Sequence, residues 1–114
     1  MNNKEKGDFG EEVAINYLLS KGAKLLEKNY RLKIGEVDII VRIDDEIIFV
    51  EVKSRSSLRY GYPCESVNFK KRKKIVEIAK YYITKNNLHN IPIRFDIVEV
   101  YLSEKRVNHI MNAF

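Results

Sequence analysis

The sequence predicts an α/β domain, a mixed β-sheet flanked by helices, with elements in the order α-β-β-β-α-β(-β) over residues 1–114. Three observations predict it. Apolar residues recur at helical spacing in two stretches, one near the N-terminus and one after residue 68. Between them lie three short runs in which apolar residues alternate or cluster as in strands, and a further β-branched run follows the second helix. A chain of 114 residues has one-domain size and buries about two thirds of its unfolded surface, enough to fold without disulfides or a structural metal.

The first helix is expected at about Asp8–Ser20, where Phe9, Val13, Ala14, Tyr17 and Leu18 form one face and Gly22 follows as a stop. Leu26, Tyr30 and Leu32 at even spacing mark a strand over Lys24–Lys33, closed by Gly35. Strands at Glu36–Ile43 and Glu46–Lys53 follow, joined at Asp44-Asp45. The polar segment Ser54–Val67, with its glycine and proline, reads as a loop of the kind that carries function. Asn68 caps a helix over Phe69–Lys85, with Ile75, Ile78, Ala79, Tyr82 and Ile83 as its apolar stripe. A strand at Ile93–Leu102 and a last one at Arg106–Met111 complete the order. Tyr17, Tyr81 and Tyr82 read as core or edge packing, and Arg94 and Asp96 as stabilisers of the Ile93–Leu102 strand.

One cysteine, Cys64, excludes an internal disulfide, and two histidines, His89 and His109, with one thiol do not make a structural zinc site. None of the three is given a chemical role. No apolar run approaches the ~20 residues of a membrane span, and "MNNKEKGDFGEE" lacks a hydrophobic signal core, so a soluble cytoplasmic protein is expected. The formal charge is +5. Basic residues crowd into Lys53–Lys74, a local stripe of the kind nucleic-acid binders carry.

"GEVDII" and "FVEVK" set charged residues into apolar strands, where charge is costly unless paired or bound to a metal. A turn centred between Asp44 and Asp45, of two or four residues, makes the numbers of opposed residues sum to 89. Asp38 then faces Glu51, with Glu36 opposite Lys53 and Ile40 opposite Phe49. Val37–Val52, Ile39–Val50 and Val41–Ile48 share the other face. A slip by one residue would mix charged and apolar side chains on both faces. Opposed carboxylates about 5 Å apart destabilise a strand pair unless they share a proton or a cation. A hard divalent ion, Mg²⁺ or Mn²⁺, suits two carboxylates with a backbone carbonyl and water, and Lys53 adds positive charge at the rim.

An acid on one strand and Glu-X-Lys on its antiparallel neighbour, here Asp38 and Glu51-Val52-Lys53, resembles the PD-(D/E)XK nuclease superfamily, with Val37 where the family name has proline. The blocks "GDFGEEVAINYL", "NYRLKIGEVDII", "FVEVKSR", "ESVNFKK" and "RFDIVEV", in that order over most of the chain, resemble the YraN-type family, which is similar to archaeal Holliday-junction resolvases. The resemblance implies a restriction-endonuclease-like core and a magnesium-dependent endonuclease acting on DNA, branched or single-stranded, in repair or recombination. It implies that Asp38 and Glu51 bind the metal with the Val52 carbonyl. By the same resemblance Lys53 is expected to orient the attacking water or offset developing charge, Glu11 to contribute from the first helix, and Lys71 to match a lysine of the family's second helix. It also implies a homodimer.

Blander readings stand beside these. Asp38, Glu51 and Lys53 also read as a structural ion network; Glu36 either pairs with Lys53 or supports the site. Asp8 and Glu11 have capping-box spacing, which competes with a metal role for Glu11. Lys70, Lys71, Lys73 and Lys74 read as a solvated helix face or as phosphate contacts near a helix N-terminus. Arg55, Arg59, Tyr60 and Tyr62 read as nucleic-acid contacts or as an ordinary loop. The rival function is a non-catalytic nucleic-acid-binding protein that retains the nuclease fold.

Overall fold

The computed structural model describes residues 1–56 and 68–114. Helix α1 (Asn3–Ser20) is followed by strands β1 (Lys24–Leu32), β2 (Gly35–Ile43) and β3 (Glu46–Arg55), helix α2 (Phe69–Lys85), and strands β4 (Ile93–Tyr101) and β5 (Arg106–Ile110). The five strands form one sheet in chain order, with β3 and β4 parallel and every other neighbouring pair antiparallel. The parallel step is made by α2 as the crossover helix, which is how parallel neighbours are normally joined. Element order and mixed sheet are those expected.

Helix α1 starts well before Asp8. Asn2 is its N-cap: the Asn2 side chain accepts the Glu5 N–H at 2.8 Å, and the Asn2 N–H is donated to Glu5 Oε1 at 3.4 Å, a complete capping box. Asp8 therefore caps nothing and instead meets Lys4 at 3.0 Å on the helix surface. Gly10, Ala14 and Leu18, spaced by four, form the buried stripe, while Phe9 is 44% exposed, contrary to the expected face. Gly22, at φ +92°, ends the turn out of the helix in a conformation that favours glycine. Helix α2 is capped by Asn68, whose side chain accepts the Lys71 N–H at 2.9 Å.

The two helices cover opposite faces of the sheet. Ala14 and Leu18 pack with Ile39, Val41, Ile48, Val50, Val98 and Val100; Ile75, Ile78, Ala79 and Tyr82 pack with Val37, Ile40, Ile47 and Phe49. Fully burying each leucine, isoleucine, valine or phenylalanine among them contributes about 1.5–3 kcal/mol. Tyr81 is 48% exposed and lies at the edge rather than in either core. Beneath α1, Asp96 is fully buried, and Arg94 Nε (2.9 Å), His109 Nε2 (2.7 Å) and the Asn112 N–H (3.1 Å) all reach it. Tyr17 Oη meets the other His109 ring nitrogen at 3.1 Å, so this network ties β4, β5 and α1 together.

The β2–β3 turn is the two-residue form, with Asp44 at φ +52°, and the five pairs from Ile43–Glu46 to Ile39–Val50 all obey the sum of 89. Two expectations fail beyond that point. The paired register stops at Ile39–Val50, so Asp38 and Glu51 are not a directly opposed pair. From there β2 stays paired with β1 as far as Gly35, and β3 stays paired with β4 as far as Arg55, so the sheet forks. Val37 also leaves the face of Ile39 and joins the α2 core. In an uninterrupted strand residues two apart share a face, so the alternation breaks at Asp38. The irregularity is shared by β1, where Asn29, between the Lys28–Ile39 and Tyr30–Val37 pairs, has φ +53°.

Candidate active site in the fork of the sheet

The fork brings together residues that the two faces of an intact sheet would keep apart. A cavity of about 530 Å³ at this point is lined by Glu11, Asp38, Glu51, Val52, Lys53, Ser54, Arg55 and Lys71, together with Lys6 and Ser56. Glu11 arrives from α1 and Lys71 from α2, although the helices lie on opposite sides. Close approach of α1 makes this possible: a Cβ on Gly10 would fall 1.6 Å from Ser54 Oγ, so only glycine lets the helix sit against β3 there.

Asp38 fills the break in the ladder. Its Oδ2 accepts the Val52 N–H at 2.9 Å, a backbone donor that β2 does not engage through the ladder. Burial, then the neighbouring Glu51 carboxylate, pushes the Asp38 carboxyl up to about 7 despite that hydrogen bond. Glu11 is also raised, first by burial, with Glu36 adding to it and the Asn29 amide opposing it. With its amide nitrogen turned to satisfy both groups, Asn29 donates to Glu11 Oε1 at 2.9 Å and Glu36 Oε1 at 3.0 Å.

Glu11, Glu36 and Asp38 each offer a carboxylate oxygen within 4.8 Å of the others, a group that can hold a cation. Glu36 does not pair with Lys53. It is held by Arg31 across the β1–β2 hairpin, Nε at 2.9 Å, because Arg31 and Glu36 are register partners while β3 has already diverged. Glu51, 6% exposed in its side chain, is instead flanked by two ammonium groups, Lys71 Nζ at 2.5 Å and Lys53 Nζ at 3.7 Å from Oε1. Burial and the adjacent Lys71 lower the Lys53 pKa; burial acts against the Lys71 ammonium too, but its bond to Glu51 prevails and raises its pKa.

Glu11, Asp38, Glu51, Val52, Lys53, Arg55 and Lys71 thus meet in one cavity. β3 runs through Arg55, so Arg55 belongs to a strand and not to a loop. Lys70 and Lys74 line a neighbouring groove of about 380 Å³ with Ile34, Gly35, Glu36, Asn68, Lys71 and Ile75. Lys73 is exposed on α2 and lines neither cavity. Arg59, Tyr60, Tyr62 and Cys64 lie outside the described residues. Sequence reasoning missed Asn29 and Lys6. An asparagine inside a strand was the available signal for the first, since asparagine tolerates positive φ better than most residues. For Lys6 there was none.

The family described as "Uncharacterised protein family UPF0102" matches residues 10–100. A UPF0102 protein of Clostridioides difficile (strain 630) is 79% identical over 114 residues, covering 100% of both chains. A UPF0102 protein of Caldanaerobacter subterraneus subsp. tengcongensis is 49% identical over 119 residues, covering 100% of this chain and 98% of that one. Among solved structures, that of Pyrococcus furiosus SfsA in complex with Ca²⁺ aligns with 96% of this chain and 64% of that chain, at 18% identity and a TM-score of 0.36. A likeness that slight says nothing of function.

Proposed function

The chain belongs to the uncharacterised family UPF0102, and within that family we propose that it is a metal-dependent endonuclease-like protein that hydrolyses phosphodiester bonds in DNA. One observation carries the reading: a half-buried Asp38, its carboxyl raised to about 7, shares a cavity with Glu11, Glu51 and Lys53 at a fork in the sheet. Acid-crowded, cation-rimmed sites of this kind are a physical sign of function, and the residue set is that of the PD-(D/E)XK resemblance.

The donors fit a hard divalent cation. They are carboxylates, without thiol or imidazole among the described lining residues, and Asp38 with Glu11 and Glu36 already converge. Asp38 and Glu11 would hold Mg²⁺ or Mn²⁺, with Glu51 and the Val52 carbonyl at the same cavity and Glu36 behind, fixed by Arg31. Such an ion supplies an activated water and Lewis-acid stabilisation when bound. The chain's own part is positional. The Val52 N–H and Asn29 orient the carboxylates, and Lys53, 14% exposed, keeps an ammonium beside Glu51 where charge develops on the phosphate. Lys6 and Arg55 in the lining of the cavity, and Lys70 and Lys74 in that of its groove, supply positive charge suited to a nucleic-acid backbone. A DNA strand is taken as the substrate, branched or single-stranded, and a homodimer in the cytoplasm as the working form.

The test offers branched, nicked and single-stranded DNA to the purified protein with Mg²⁺, Mn²⁺ or EDTA. Metal-dependent cleavage that is lost in Asp38→Asn and Glu51→Gln, with binding kept, is the expected result. Salt-sensitive binding that neither substitution alters, with no cleavage of any substrate, would replace the enzyme by a non-catalytic nucleic-acid-binding protein.

A further inference from the structure

Among the described residues Glu51 is the acid of the cavity that is ion-paired to ammonium groups, and its two partners differ in kind. Lys53 comes from the same strand and is 14% exposed; Lys71 comes from α2 and is 40% exposed, with its ammonium closer to the same oxygen. Lys71 also lines both the acidic cavity and the groove that holds Lys70 and Lys74. Its backbone is pinned at the start of α2 by the Asn68 cap, so the side chain can turn from Glu51 to the groove without any change in the helix. A helix N-terminus favours anions, which gives the turned ammonium a reason to stay there when phosphate is present.

Lys6, Lys53 and Arg55 line the acidic cavity together with Lys71, so a divalent cation entering there meets repelling charge, and of these four cations Lys71 is the one that also lines the groove with Lys70 and Lys74. Resting on the metal-dependent reading above, we propose that Lys71 is an exchangeable counter-ion. It neutralises Glu51 in the metal-free protein, yields that carboxylate to the divalent cation, and turns to a backbone phosphate in the adjacent groove. Metal and nucleic acid then bind with positive cooperativity, and by linkage each raises the affinity for the other by the same factor.

Isothermal titration of Mn²⁺ into the full chain tests this, with and without a phosphorothioate oligonucleotide, which keeps the anionic backbone and resists hydrolysis. Lys71→Gln removes one repelling charge near the ion and is expected to bind Mn²⁺ about tenfold more tightly than wild type without oligonucleotide. Lys71→Arg, which retains the charge, and Lys24→Gln, which removes a charge elsewhere, are expected to stay near wild type. The oligonucleotide is expected to raise Mn²⁺ affinity several-fold in wild type and not in Lys71→Gln. Equal or weaker Mn²⁺ binding by Lys71→Gln, or an undiminished oligonucleotide effect in it, overturns the counter-ion role. Should Asp38→Asn abolish Mn²⁺ binding while Lys71→Gln leaves it unchanged, this inference alone fails; a wild-type protein that binds no Mn²⁺ removes the metal-dependent function with it.

Discussion

Asp38→Asn should make the metal-free protein more stable. In the folded chain the Asp38 carboxyl titrates at about 7, against 3.8 for the ordinary group, because burial and Glu51 disfavour its charge. The folded state therefore holds a proton that the unfolded chain releases between about pH 4 and 7, and stability falls as pH rises through that window. The gap corresponds to about 4 kcal/mol when converted at 1.36 kcal/mol per pH unit, an upper value because the acids share their charge. Asparagine keeps an oxygen for the Val52 N–H and carries no charge, so the penalty disappears. With EDTA at pH 8 we expect the variant to be about 2–4 kcal/mol more stable than wild type, on the order of 10 °C in Tm. At pH 4 the two should coincide. Urea denaturation and calorimetry at pH 4, 6 and 8 read this directly. Adding Mg²⁺ at pH 8 should stabilise wild type and leave Asp38→Asn unmoved. A variant that is destabilised at pH 8, or a difference that does not change with pH, would refute the assignment of Asp38 as a crowded, half-buried acid.

Other outcomes follow from single contacts. Gly10→Ala places a methyl 1.6 Å from Ser54 Oγ and should cost about 1–3 kcal/mol in urea unfolding, with part regained in the Gly10→Ala/Ser54→Gly double variant. Asp96→Asn removes the charge that Arg94 and His109 share and should cost about 3–5 kcal/mol at pH 7. Burial alone would raise the Asp96 carboxyl, but the bonds from His109, Arg94 and the Asn112 N–H hold it below the ordinary value. Wild type should accordingly lose stability as pH falls below about 4, and an acid limb of the same shape in Asp96→Asn would count against that origin. Lys70→Gln/Lys74→Gln should lower the slope of log binding constant against log salt by up to about 1.5 for single-stranded DNA, and Lys73→Gln by less, as read by fluorescence anisotropy.

The positions of α2, of the β2–β3 hairpin and of the sheet's five strands are legible in residue order because they depend on neighbours close in the chain. Asn68 caps α2 through a residue three positions on, and the hairpin register follows from a turn and an alternation that touch each other. The start of α1 was misread at Asp8 for a related reason. Two capping-box spacings, Asn2–Glu5 and Asp8–Glu11, follow one another in one polar segment, and local spacing alone does not choose between them. Once Glu11 lies mid-helix, the competing cap role falls away and the side chain is left to face the cavity.

By itself the sequence determined which carboxylates and which lysine would be set into apolar strands, since alternation and turn chemistry are properties of a few consecutive residues. Only the tertiary structure decided how they meet. Past Ile39 and Val50, each hairpin strand follows its outer neighbour, and the resulting fork admits Glu11 from one face and Lys71 from the other. Pairing of β3 with β4, the bend shared by Asn29 and Asp38, and the approach of α1 at Gly10 all join residues far apart in the chain. Their energies come from packing across the sheet, which no stretch of consecutive residues contains.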